Sequence, residues 1–231
     1  MKTIGLLGGM SWESTQTYYR LINEGVKSRL GGLHSAKLVL YSVDFAEIEA
    51  LQHQGDWPAT ARILSGAALS LENAGADFLM IGTNTMHKVA PEIEEAINIP
   101  LLHIADATAK VLTQDNIQRV GLLGTRFTMK QAFYRERLEA AGIEVVTPDA
   151  PQRAEVHRVI YEELCQGEIQ APSREAYLAV INSLAEQGAQ AVILGCTEIG
   201  LLIKQTDTPV PLYDTTAIHA AQAVNQALTE D

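Results

Sequence analysis

The sequence predicts an α/β protein of two pseudosymmetric domains, each a small parallel sheet flanked by helices, with a binding site in the cleft between them. Three observations point there. Short apolar runs alternate with segments of helical period along the whole chain. The runs are apolar at every residue rather than at every second one, which suits strands buried on both faces of a parallel sheet. The second half also repeats the first. Ile4-Gly5-Leu6-Leu7-Gly8 returns as Val120-Gly121-Leu122-Leu123-Gly124, and Gly75-Ala76-Asp77-Phe78-Leu79-Met80-Ile81-Gly82-Thr83 returns as Gly188-Ala189-Gln190-Ala191-Val192-Ile193-Leu194-Gly195-Cys196, in the same order and at nearly constant separation.

The elements follow from this pattern. Residues 4–7 form an apolar first strand that stops at Gly8-Gly9, and the amphipathic stretch 14–30 makes the first helix. Residues 37–43 read as a strand, 52–57 as a polar segment, 60–74 as a helix and 78–81 as a strand. A Pro-led run at 101–104 closes the first half. The second half offers strands at 120–123, 143–146 and 191–194, helices at 129–141, 153–165 and 174–187, and a Pro-led run ending at Asp214. The Ala-rich stretch 215–229 is a last helix, expected to pack back on the first half. It takes the place of the helical stretch after Asp106 that links the halves. The expected domains are therefore 1–112 plus 207–231, and 113–206. No Pro- or Ser-rich linker separates them.

Composition narrows the function. The 231 residues carry 17 Lys+Arg against 28 Asp+Glu, a net charge of −11. Such a chain lacks the basic footprint that nucleic acid or an anionic membrane surface requires. The isolated Trp12 and Trp57 form no stacking platform. No stretch approaches the ~18 uninterrupted apolar residues of a membrane span. The apolar N-terminal run is too short for a signal-peptide core, so the expected compartment is the cytoplasm, where thiols stay reduced. Cys165 and Cys196 are too few for a disulfide framework, and neither they nor His87, His103 and His219 have metal-ligand spacing. No metal site is expected from that spacing, and Gly8-Gly9-Met10-Ser11 matches no phosphate-loop pattern.

In open parallel sheets, ligands bind beyond the carboxyl ends of the strands. The repeat puts a polar cluster there twice: Thr83-Asn84-Thr85 and Cys196-Thr197-Glu198. Free backbone N–H groups and hydroxyls converge at such a point, which suits a carboxylate or phosphate. Thr83 and Cys196 are equivalents in the two halves. By position Met10 and Ser11 border the same cleft.

With the opening residues 4–10, Thr83-Asn84-Thr85-Met86-His87 and Gly195-Cys196-Thr197-Glu198-Ile199, the chain resembles the aspartate/glutamate racemase superfamily over nearly its full length. Within it, the likeness is to the cofactor-independent aspartate/glutamate racemases. That resemblance implies a two-domain enzyme with a four-stranded parallel sheet in each domain. It also implies a homodimer, a small amino-acid substrate, and no need of pyridoxal phosphate or metal. Its mechanism is a two-base 1,1-proton transfer with a cysteine on each face of the α-carbon. A thiol of pKa ~8.5 suits this, because thiolate base and thiol acid are both accessible near neutrality.

Thr83 departs from that pattern, standing where the family carries its first cysteine. A hydroxyl is a poor base, so the pair is expected to be asymmetric, with Cys196 the competent base and Thr83 a donor or relay. Carboxylate binding falls to Asn84, Thr85 and Thr197. The resemblance places Met10 beside substrate and puts Gln52 in a loop over the site. It also implies a lysine where Cys165 stands, which loosens strict preference for an acidic side chain. Glu198 is either a proton acceptor for Cys196 or a partner of nearby backbone. His87 is either a cap or a tuning group. Two rival functions remain open at this point: a decarboxylase or maleate-type isomerase of the same superfamily using Cys196 alone, and a non-catalytic binding module.

Overall fold

Residues 1–229 are described by a computed structural model, and residues 230 and 231, which end the expected first domain, lie outside it. The chain divides into two units, Met1–Ile104 with His219 onward, and Ala105–Ile218. In the first, β1 (Ile4–Gly8), β2 (Leu38–Ser42) and β3 (Phe78–Ile81) form a parallel sheet in the order β2-β1-β3. Alternation on the central strand sends Ile4 and Leu6 to one face and Leu7 to the other. On the first face they meet Tyr18, Ile22 and Val26 of α1 (Trp12–Leu30). Leu7 packs with Leu64, Ala68 and Leu71 of α3 (Trp57–Asn73). Between these lies α2 (Phe45–Gln54), and α4 (Ala90–Ala96) follows β3.

α5 (Ile104–Gln114) leads into the second unit, where β4 (Arg119–Gly124), α6 (Arg126–Lys130), α7 (Ala132–Ala140) and β5 (Glu144–Val146) follow in turn. α8 (Ala150–Glu162), α9 (Ala171–Glu186), β6 (Ala191–Gly195), α10 (Ile199–Leu202) and β7 (Leu212–Asp214) complete it. Its parallel sheet runs β5-β4-β6-β7. The repeat is visible in the register: Ile4 pairs Phe78 in the first unit, and Val120 pairs Ala191 in the second. Both central strands have their outer partners in the same relation, so both strand-end clusters sit at the same edge of their own sheets.

Five expectations change in detail. The first sheet has three strands rather than four, because only Leu101 bridges to Leu79 before the chain turns into α5. The stretch 45–54, overlapping the supposed polar segment, is helical: Asp44 caps it through the Ala46 amide at 3.1 Å and Gly55 ends it. The single helix expected at 129–141 is two, broken where Gln131 adopts an extended conformation. Residues 164–166 form a separate 3₁₀ turn instead of finishing α8, so Cys165 is not on a helix. Residues 207–218 group with the second unit, since β7 pairs β6 and the Thr215 hydroxyl donates to the Leu194 carbonyl at 2.9 Å. From His219 the last helix, α11 (Thr215–Leu228), packs with the first unit as expected, through Ala220, Ala223, Val224 and Ala227.

Candidate active site

In the first unit the site grows from the end of β1. Gly9 takes φ +92°, and a Cβ there would lie 2.3 Å from the Val43 carbonyl oxygen, so only glycine lets the chain pass the end of β2. The Thr15 hydroxyl accepts from the Gly9 amide at 2.7 Å and donates to the Ser11 carbonyl at 2.9 Å, closing the turn. Ser11 then caps α1, its hydroxyl accepting from the Ser14 amide at 3.3 Å. The Ser14 hydroxyl reaches across to the Gly82 carbonyl at 3.2 Å. That bond sets the Met10–Ser11 turn beside Thr83. Thr83 is half-buried, while Asn84 and Thr85, which open a 3₁₀ turn, are buried. Met10 joins Met86 and Ile48 in one apolar cluster. Gln52, one turn past Ile48 on α2, is only 2% exposed, a buried helical side chain rather than part of a loop.

Beneath Thr83 lies a feature the sequence signalled only weakly, three buried histidines. His87 Nδ1 meets the Thr83 carbonyl at 2.8 Å, and its Nε2 accepts the Ile104 amide at 3.3 Å. Its ring lies 4.4 Å from that of His103 and 6.0 Å from that of His219. His219 Nε2 donates to the Leu102 carbonyl at 2.7 Å and its Nδ1 accepts from the Tyr18 hydroxyl at 3.0 Å. Spacing along the chain (His87 four residues after Thr83, His219 four after Thr215) hinted at turns but not at this meeting.

Burial pushes the His219 imidazole down to about 4, from 6.5, with the bond to Leu102 opposing only in part. Folded, it stays neutral to about pH 4, whereas the unfolded chain already takes a proton near 6.5. Stability is thus full above pH 6.5 and falls as the pH drops to 4, by about 3 kcal/mol. Urea midpoints measured across that window should show the loss. In His219→Gln, which keeps a donor for Leu102, the slope should disappear; an unchanged slope would assign the titration elsewhere.

In the second unit Cys196 follows β6 directly and is 8% exposed. Its thiol donates to Glu198 Oε2 at 3.0 Å, and the Thr197 hydroxyl donates to the same oxygen at 2.7 Å. The Cys196 carbonyl is closed locally by the Ile199 amide at 3.1 Å. Burial first, then the Glu198 charge, then Cys165, hold the Cys196 thiol well above its ordinary range. The resting form of Cys196 is therefore a thiol, hydrogen-bonded to the Glu198 carboxyl. Of the two partners expected for Glu198, the Cys196 thiol is one that its carboxylate meets. Thr197, expected to bind a substrate carboxylate, spends its proton on Glu198.

Cys165 is half-buried against the apolar cluster that contains Cys196, Tyr177 and Ile199. It brings no charge. The nearest arginine or lysine along the chain, Arg158, is held by three carboxylates, Glu155 at 2.8 Å, Glu163 at 3.0 Å and Glu162 at 3.4 Å. Among the described residues no three His, Cys, Asp or Glu side chains are grouped to hold a metal ion, and no helix is long and apolar enough to cross a membrane. Each unit thus collects its own predicted residues: Met10, Gln52, Thr83, Asn84 and Thr85 in the first, Cys165, Cys196 and Thr197 in the second.

A Yersinia pestis protein, provisionally described as an Asp/Glu racemase, has a crystal structure matching 99% of this chain and 100% of its own at 60% identity, with a TM-score of 0.93. An aspartate racemase homologue from Pyrococcus horikoshii OT3 matches 99% of this chain and 100% of its own at 35% identity and a TM-score of 0.87. The broad specificity amino-acid racemase RacX of Bacillus subtilis is 26% identical over 97% of this chain and 98% of its own length. Their descriptions name racemases or a racemase homologue, and the decarboxylase and binding-module alternatives gain no support from them. Residues 7–223 match the family described as Asp/Glu/hydantoin racemase. The chain belongs to that family, whose racemases are isomerases acting on amino acids.

Proposed function

We propose that the chain inverts the α-carbon of small amino acids without a cofactor, with Cys196 as the base and Thr83 serving the other face. One observation carries the reading: a buried thiol at the end of β6 hydrogen-bonded at 3.0 Å to a carboxylate, in the place that Thr83 occupies after β3. When substrate arrives, the thiol passes its proton to Glu198, and the thiolate takes the α-proton. The C–H electron pair moves into the substrate carboxylate as an enediolate, stabilised by the amide and hydroxyl donors of Asn84 and Thr85. Thr83 hands its hydroxyl proton to carbon on the opposite face and takes one from water, while the Cys196 thiol reforms and Glu198 sheds its proton to solvent. Met10, Gln52, Cys165 and Thr197 are the residues assigned to substrate binding. The uncharged Cys165 favours a substrate range wider than aspartate and glutamate. By likeness to the family, the working form is a cytoplasmic homodimer.

A hydroxyl returns a proton far better than it removes one, so the enantiomer whose α-proton faces Cys196 exchanges that proton faster, at an unchanged equilibrium constant for inversion. In deuterated water with both enantiomers of aspartate, glutamate and a panel of neutral amino acids, NMR should show α-proton loss with inversion. Initial rates for the two enantiomers should differ by about tenfold or more. Absence of exchange from every amino acid tested, or loss of carbon dioxide instead, would overturn the reading.

A further inference from the structure

The unit that carries Thr83 supports its residue differently from the unit that carries Cys196. Cys196 has its carbonyl closed by an amide three residues on. Thr83 has its carbonyl closed by a side chain, His87, at 2.8 Å. Under the repeat, the position of His87 is taken in the second unit by Gly200, where a Cβ would lie 2.8 Å from Asp214 Oδ2. The histidine is therefore a device of the first unit alone.

Its bonding fixes its chemistry. A backbone amide can only donate, so the Ile104 N–H at 3.3 Å requires a lone pair on His87 Nε2. The proton of the neutral ring then resides on Nδ1 and points at the Thr83 carbonyl. The ring is buried and packed against His103 and, more distantly, His219. His219 is in turn fixed by Tyr18 and the Leu102 carbonyl. Leu102 and Ile104 belong to the segment that makes only a single bridge to β3. Histidine bonds thus tie the Thr83 turn to residues 102–104 where the sheet ladder gives out.

We infer that His87, in its Nδ1-protonated tautomer, is the positioning residue of the Thr83 half-reaction, holding the Thr83 backbone so that its hydroxyl is set for proton return. The inference rests on the proposed role of Thr83. His87 does not touch substrate; it acts through Thr83, and so it governs inversion without governing proton removal by Cys196. A displacement near 1 Å of a reacting group costs up to about a hundredfold, which is the scale of effect to expect.

The test uses the full chain in deuterated water. It follows two rates on the enantiomer that is turned over faster: α-deuteration with retention, which reports Cys196, and formation of the inverted product, which reports Thr83. His87→Gln presents its amide to Ile104 but leaves the Thr83 carbonyl without a donor. The ratio of inversion to retention should fall by about tenfold or more, with KM little changed. His87→Asn puts an N–H where Nδ1 stood and should recover most of the ratio. Equal loss of both rates, or an unchanged ratio in His87→Gln, would overturn the inference. Thr83→Val separates the two claims: wild-type inversion in that variant defeats the role of Thr83, whereas lost inversion there beside an unchanged ratio in His87→Gln defeats only the role of His87. Should His87→Gln fail to fold, the ¹⁵N signals of the wild-type imidazole decide. The Nδ1-protonated tautomer is expected at neutral pH, and the Nε2-protonated form would overturn the inference.

Discussion

Cys196→Ser should retain no more than about a thousandth of the wild-type rate of α-proton exchange. A serine hydroxyl fits the space and can still donate to Glu198, so the bond that closes the strand end survives in kind. What is lost is the base. Even held above its ordinary range, the thiol gives its proton to Glu198 more readily than a serine hydroxyl, which in the same surroundings lies several pKa units higher, and each unit is worth about 1.4 kcal/mol. The loss should therefore appear in kcat, with urea midpoints close to wild type. Exchange followed by NMR measures the first and urea unfolding the second. More than a tenth of the wild-type rate would remove Cys196 from the reaction, and a collapse of stability would reclassify it as a core residue.

Glu198→Gln should slow turnover by about 10²- to 10³-fold, the usual worth of a positioned general acid–base. Its second consequence has the opposite sign. The carboxylate charge is the cause, second only to burial, that holds the Cys196 thiol up, and its hydrogen bond adds to that. Replacing it by a neutral amide lowers the thiol toward its ordinary range, so more thiolate exists at a given pH. Alkylation of Cys196 by iodoacetamide, resolved from Cys165 by peptide mass mapping, should become faster while catalysis becomes slower. A variant slow in both would mean that Glu198 merely keeps the thiol accessible. One unchanged in turnover would take Glu198 out of the proton path.

Much of this was legible in the order of residues. The two copies of the Gly-flanked strand, and the two copies of the strand ending in Gly82-Thr83 and Gly195-Cys196, announced both sheets. The pairing of Ile4 with Phe78 and of Val120 with Ala191 follows from them. Such patterns can be read because strand burial and the backbone demands of a turn, as at Gly9, act over a few residues. Boundaries were less legible. The polar surface of α2 hid a helix whose caps at Asp44 and Gly55 were local signals all the same. The extended Gln131, by contrast, interrupts a stretch whose residues all permit helix.

By itself the sequence determined the fold class, the repeat, the two strand-end clusters and the equivalence of Thr83 with Cys196, because each is a matter of residue type at a given spacing. Only the tertiary structure decided which partners those residues meet. Glu198 meets the Cys196 thiol. Cys165 leaves the helix for a turn against the Cys196 cluster. His219 closes on Tyr18, 201 residues away in the chain. A hydrogen bond of that kind is chosen when burial removes water and leaves one geometry that satisfies every donor and acceptor. No local pattern encodes that choice.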